Sequence, residues 1–363
     1  MTRVKAAVCH AFNAPLVIEE VELRAPAAGE VDVIVDAVAI CHSDISYWQG
    51  GFGGTLPAVY GHEAAGRVAA VGAGVTGFEA GDHVAVTLIR ACGTCGSCAT
   101  GKPTICETPQ DHGASPIRST DGAPVMQALA TGGFAERVVV DQSQIVNIPA
   151  EMPKDVASLL SCGVVTGVGA AVNAAQIRAG QDVVVIGAGG VGLNAIQGAR
   201  IAGARRIVAI DMSAEKLEVA KEFGATDVVL ATTPKPFKQV QQILGRGADA
   251  VLVTVGIAKV YDQAPRYLAN GGKIVMVGMP HFGETASYTP LLMADMGQSI
   301  VGSKMGDVVL RRDIPWMVDL YEQGRLKLDE LISGRWELAQ INEAIADTLG
   351  GAARRNVILL NQD

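Results

Sequence analysis

Residues 182–192 read DVVVIGAGGVG, an apolar, β-branched run that ends in a G-x-G-x-x-G turn. An apolar run without polar alternation suits a strand buried on both faces, and such strands belong to parallel sheets covered by helices. RIVAID, DVVL, DAVLVTVG, KIVMVG and QSIVGS repeat the texture downstream, separated by segments of helical character. The second half of the chain is therefore expected to fold as a doubly wound α/β sheet. Glycines between a strand end and a helix start let backbone N–H groups approach a pyrophosphate at the helix N-terminus. Gly187, Gly189, Gly190, Val191 and Gly192 form the expected phosphate-binding turn. Asp211 closes the next apolar run, nineteen residues beyond Gly192. A carboxylate there accepts a hydrogen bond from a ribose 2′-hydroxyl and repels a 2′-phosphate, which predicts NAD as the cofactor. Lys216, one helical turn later, is a second candidate ribose contact. The plainer reading is a glycine-rich turn that binds nothing.

The first half has a different texture. KAAVCHAF, LVIEEVEL, EVDVIVDAVAIC, GRVAAVGAGV and FAERVVVD are short alternating segments with glycine or proline between them, the pattern of a β-barrel-like domain. From about residue 306, IPWMVDLYEQGRL and INEAIADTLGG have helical periodicity and are expected to return to the first domain. The expected organisation is 1–163, 164–305 and 306–363, without internal repeats or low-complexity linkers.

Four of the seven cysteines, Cys92, Cys95, Cys98 and Cys106, fall within CGTCGSCATGKPTIC. The first residues carry no apolar signal segment, so a cytoplasmic, reducing setting is expected, where clustered cysteines serve metals rather than disulfides. Two-residue gaps let a loop turn successive thiolates toward one ion, and four thiolates close a tetrahedral zinc shell. The longer last gap departs from the spacing of iron–sulfur ferredoxins. A structural zinc site is predicted. A net charge of -8 and a pI near 5.3 argue against nucleic acid as a partner. The 22 residues from Val156 to Ile177 carry no charge, but their serines, glycines, Thr166, Asn173 and Gln176 suit a buried segment better than a membrane span.

Cys41, His62 and Cys162 stand apart in AICHSDISYWQG, LPAVYGHEAAGRV and SLLSCGVVTGVG. A catalytic zinc takes three protein ligands and keeps one position open, and Cys2His is one such set. Taken alone, Cys41 or Cys162 reads as a buried small hydrophobe and His62 as an ordinary histidine, and only their company points to a metal. Their neighbours add chemistry. Asp44 is placed to accept the second N–H of His62, Glu63 to approach a metal from behind, and Ser43 to take a proton from an alcohol.

These motifs together resemble the zinc-containing alcohol dehydrogenases of the medium-chain dehydrogenase/reductase superfamily, from about residue 5 to 360. GHEAAGRV is similar to that family's zinc signature, and the cysteine cluster to its structural-zinc lobe. CHSD, SCGVVTGVGAAVNAA and the dinucleotide turn lie in the family's order. The resemblance implies a GroES-like catalytic domain joined to a Rossmann domain, with the active site in the cleft between them. It implies Cys41, His62 and Cys162 as catalytic zinc ligands, a second zinc on the four-cysteine lobe, and Ser43 as the first member of a proton relay. His42 and Arg355 would face the cofactor pyrophosphate, and Thr166 the nicotinamide. The implied reaction is reversible hydride transfer from a zinc-bound primary or aromatic alkoxide to NAD, with a small alcohol or aldehyde as partner and a homodimer or homotetramer as the assembly. Leu88, Leu129 and Trp48 are candidate pocket walls.

CGVVTG is closest to the class III and benzyl-alcohol group, which makes S-(hydroxymethyl)glutathione an alternative substrate. Against it, no arginine follows the cysteine lobe before Arg118. Ser46 stands where some members place a relay histidine, which leaves water or Tyr47 for proton release. An alternative from another class is a dinucleotide-binding protein without catalysis.

Overall fold

The six apolar runs of the second half are six parallel strands of one sheet. In spatial order they are Asp227–Leu230, Arg206–Asp211, Asp182–Ile186, Ala248–Val253, Leu268–Met276 and Ser299–Gly302. That order, 3-2-1-4-5-6 in sequence terms, is the Rossmann arrangement, with its switch point beside the strand that leads into the glycine turn. Val183, Val184 and Val185 are fully buried, which is why the run carries no polar alternation. Each such side chain contributes about 1.5–3 kcal/mol when removed from water. Helix Gly190–Ile201 crosses helix Val165–Gly169 closely. A Cβ on Gly167 would lie 2.4 Å from the Val191 carbonyl, and one on Gly198 2.8 Å from Val168 Cα.

The computed structural model describes residues 1–108 and 115–361, and its packing divides the chain into two units. One comprises Met1–Cys162, Val309–Gly324 and the chain from Leu328; the other comprises Gly163–Val308 and Arg325–Lys327. In the first unit, five strands close a barrel, and Glu30–Ala39 pairs with Glu63–Val71, Arg137–Asp141 and the C-terminal strand Arg355–Leu359 in a second, seven-stranded sheet. Alternation in the sequence follows from strands with one face in a core of valines and alanines such as Val31, Val33, Val35 and Ala64.

The uncharged stretch is a helical run, Lys154–Ala174, long and apolar enough to pass for a membrane span, but 89% of its most apolar window is buried inside the protein. It is not one regular helix. Lys154–Leu159 and Val165–Gly169 are α-helical, whereas Leu160–Val164 and Ala170–Ala174 are π-helical turns. A π-turn admits an extra residue and re-aims the side chains beyond it, and such turns concentrate at functional sites. The first of them contains Cys162.

Candidate active site and metal centres

Cys41 caps helix His42–Trp48, and His62 immediately precedes strand Glu63–Val71. Gly61 makes the approach possible. Its φ is +90°, and a Cβ there would lie 2.6 Å from Phe134 N. Cys162 is brought to the same place by its neighbour Ser161, whose hydroxyl donates to the Ala64 carbonyl at 2.9 Å. Among the described residues, Cys41, His62, Glu63 and Cys162 thus bring their ligating atoms within 4.8 Å of one another, all buried. Neighbouring sulfurs of a zinc tetrahedron stand about 3.8 Å apart, so this donor set fits one ion.

The surroundings are ordered around that cluster. Asp44 Oδ1 lies 2.9 Å from His62 Nδ1 and accepts from Gly61 N, while its Oδ2 accepts from Cys41 N. The imidazole is thereby oriented with Nε2 on the cysteine side, as a second-shell carboxylate does for a metal ligand. Ser43 Oγ sits 3.1 Å from Cys41 Sγ and 3.4 Å from His62 Nε2. A hydrogen bond from Cys162 holds the Cys41 thiol well below its ordinary range despite burial, and that same bond raises Cys162. Burial alone would depress His62, but the charges of Asp44 and Cys41 hold it well above its usual value. The lowered thiol is the direction that metal ligation requires.

Glu63 and Arg355 form a buried ion pair behind the cluster, 292 residues apart in sequence. Burial pushes the Glu63 carboxyl up to about 8, against the opposing charge of Arg355. Arg355 Nε has no hydrogen-bond partner among the described residues, so one buried donor of this guanidinium is unused. His42, expected to face the cofactor, opens its helix on the exposed side.

The four cysteines of the lobe also converge, with ligating atoms within 4.8 Å. Cys95 and Cys106 sulfurs are 3.9 Å apart, close to the edge of a zinc–sulfur tetrahedron. Backbone N–H groups point at the sulfurs: Cys95 N at Cys92, Cys92 N at Cys106, and Cys98 N and Glu107 N at Cys95. Hydrogen bonds, first from Thr108, lower the Cys92 thiol to about 5. The lobe is partly exposed, and four thiolates would leave an ion bound there no open coordination position.

In the second unit, helix Gly190–Ile201 begins with no side chain capping its N-terminus, and the space where a Gly189 Cβ would sit is open. Free N–H groups beside such a cradle suit a phosphate. Gly192 is needed for packing, since its Cβ would stand 1.9 Å from the Gly187 carbonyl. Asp211 Oδ2 accepts from Ala188 N at 2.7 Å and Oδ1 from Ser213 N at 2.9 Å, which sets the carboxylate at the edge of the turn. These residues fit a dinucleotide. Lys216 lies half-buried in helix Ala214–Glu222, and Thr166 is buried with its hydroxyl 3.6 Å from Met305 Sδ.

Of the candidate walls, Trp48 belongs to core packing, with Nε1 donating to the Ala14 carbonyl at 2.7 Å. Leu88 and Leu129 are half-buried, and Leu129 adopts a left-handed backbone. Sequence reasoning missed the Glu63–Arg355 pair and the π-turn at Cys162. The only available signal for the pair was a lone carboxylate beside a candidate ligand.

Comparison with known proteins agrees with this chemistry. Residues 27–150 match the alcohol dehydrogenase GroES-like domain, and residues 190–323 match the zinc-binding dehydrogenase family. An NDMA-dependent alcohol dehydrogenase of Amycolatopsis methanolica is 36% identical over 99% of this chain and 100% of its own. The crystal structure of an alcohol dehydrogenase zinc-binding domain protein from Burkholderia ambifaria superposes with a TM-score of 0.95 at 35% identity, covering 99% of this chain and 100% of that one. Benzyl alcohol dehydrogenase from Acinetobacter calcoaceticus superposes with a TM-score of 0.93 at 30% identity, with the same coverage.

Proposed function

This chain belongs to the zinc-containing alcohol dehydrogenases of the medium-chain superfamily, and on that premise we propose that it oxidises primary or aromatic alcohols with NAD and reduces the matching aldehydes. The observation that carries the reading is the buried cluster of Cys41, His62 and Cys162 with the Ser43 hydroxyl against two of its members. Zinc bound there supplies Lewis acidity, and NAD supplies the hydride acceptor. Asp44 keeps the Nδ1 proton of His62 on its own side and leaves Nε2 for the metal. Ser43 Oγ, held against the ligand cluster, accepts the proton that the alcohol hydroxyl gives up while its own hydroxyl proton passes onward, as the first member of a relay. Burial of the ligands keeps bulk water from them, and Glu63 holds Arg355 in place behind the cluster. The glycine turn takes the cofactor pyrophosphate, and Asp211 with Lys216 takes the ribose. His42 and Arg355 are assigned to the cofactor phosphates and Thr166 to its nicotinamide end by family resemblance.

The protein is further proposed to work in a reducing cytoplasm as a homo-oligomer. Free metal-site cysteines support the first, and the exposed apolar residues between Met279 and Ile300, on and before the edge strand Ser299–Gly302, support the second. The test follows NADH formation with NAD and a panel of alcohols, with and without glutathione plus formaldehyde, alongside metal analysis. Turnover of plain alcohols that stops on chelation and returns with zinc is expected. Turnover with the thiol adduct alone would move the substrate to that class. No turnover at all, with two zincs and NAD bound, would sink the enzyme reading.

A further inference from the structure

The loop between strands Pro124–Gln127 and Arg137–Asp141 holds two consecutive non-glycine residues in the left-handed region, Leu129 at φ 53° and Ala130 at φ 56°. L side chains are disfavoured there, so such a pair persists only where the surroundings hold it. Gln144 supplies the hold. It is 1% exposed, and its Nε2 donates to the Ala130 carbonyl and to the Thr87 carbonyl, each at 2.9 Å. Its Oε1 accepts from Asp141 N at 3.2 Å, so the whole amide is used. The Thr131 hydroxyl, also buried, adds a tie to Thr87 O at 3.3 Å.

Both flanks of this loop abut the strand entry at His62. Thr87 follows strand His83–Val86, whose Val86 faces Ala64 in antiparallel register. Thr87 is therefore the next residue after the one that faces Ala64, where the pairing with strand Glu63–Val71 ends. On the other flank, Gly133 N donates to Gly61 O at 2.7 Å and Phe134 N to Tyr60 O at 2.8 Å. The turn is thus tied through Gly133 to the residue before a zinc-ligand candidate, and Leu129 and Ala130 stay half-buried rather than packed into the core.

We propose that Gln144 is a positioning residue that locks the Leu129–Ala130 turn as a wall of the alcohol site, and so sets the selectivity between aromatic and short alcohols. This rests on the reading of Cys41, His62 and Cys162 as the reacting centre. Gln144 reaches the substrate only through the turn. Two carbonyls and one N–H at fixed separations need an amide of glutamine's length, which no apolar residue replaces.

The test compares the parent protein with Gln144→Met, which keeps the volume and loses all three hydrogen bonds. The ratio of kcat/KM for benzyl alcohol to that for ethanol is expected to move toward unity by about tenfold, carried by KM, the order that loss of a pocket wall produces. Amide hydrogen exchange across residues 128–133 is expected to speed up, a readout independent of turnover. Adding Ala130→Gly to Gln144→Met should restore the ratio in part, because glycine holds a positive φ unaided. Should Gln144→Met fail to fold, Gln144→Asn keeps a buried amide that is a methylene too short to span both carbonyls, and it carries the same expectation. A folded variant with unchanged ratio and unchanged exchange overturns the proposal. A parent protein that oxidises neither alcohol would instead overturn the reading of the centre itself.

Discussion

Arg355 and Glu63 show how much one side-chain pair decides. Both are nearly inaccessible, at 7% and 0% exposure, and each is the main reason the other is tolerated. A buried ion pair gains little over an apolar replacement, yet removing one partner strands a charge. Arg355→Met is therefore expected to destabilise the protein by about 3–5 kcal/mol in chemical denaturation. Glu63→Gln in the same chain should recover a large part of that loss, because the stranded carboxylate is gone. A single variant as stable as the parent would show that the pair holds nothing together. No composition or spacing argument pairs residues 292 positions apart, whereas Cys92, Cys95, Cys98 and Cys106 declare themselves because one short loop carries every ligand. Leu129 and Ala130 were equally opaque, since neither is the glycine that usually marks a left-handed turn.

Elements were legible where burial imposes a period. Six parallel strands could be read as apolar runs, the central ones buried on both faces, and the barrel strands as alternations. The π-turns were not legible, because an added residue in a helix leaves the residue types unchanged and only shifts which way they face. That shift, together with the Ser161 tie to Ala64, is what delivers Cys162 to His62. The N-terminus of helix Gly190–Ile201 offers a sharper test, because its glycines serve two different ends. Gly192 is confined by the Gly187 carbonyl at 1.9 Å, while Gly189 opens onto space. Gly192→Ala should lose both fold stability and NAD binding. Gly189→Ala should melt with the parent yet bind NAD about tenfold or more weakly, roughly 1.4 kcal/mol or above, as titration calorimetry would read. Equal NAD affinity in Gly189→Ala would mean that no phosphate occupies that cradle.

For the whole molecule, the second unit leaves its sheet unfinished. Ser299–Gly302 is an edge strand, and an uncovered edge invites pairing with another chain. Around it in sequence, Phe282 is 96% exposed and Leu291 75%, with Met279, Tyr288 and Leu292 also exposed and Ile300 on the strand itself. Isolated apolar side chains on a surface need no explanation, but so many between positions 279 and 300 suggest a face that is covered in solution. A second copy of the chain is the economical cover, because a twofold arrangement would set one edge against its equivalent and cover both patches together. The parent protein should therefore sediment as a dimer or a larger assembly. Leu291→Glu with Ile300→Lys should weaken association by about a thousandfold, taking roughly 2 kcal/mol for each lost apolar anchor. The melting temperature of the dissociated chain separates the possible causes. If the variant sediments as a monomer and still melts cooperatively, the patch is an interface. If it remains assembled, the copies meet elsewhere and the edge strand needs another cover.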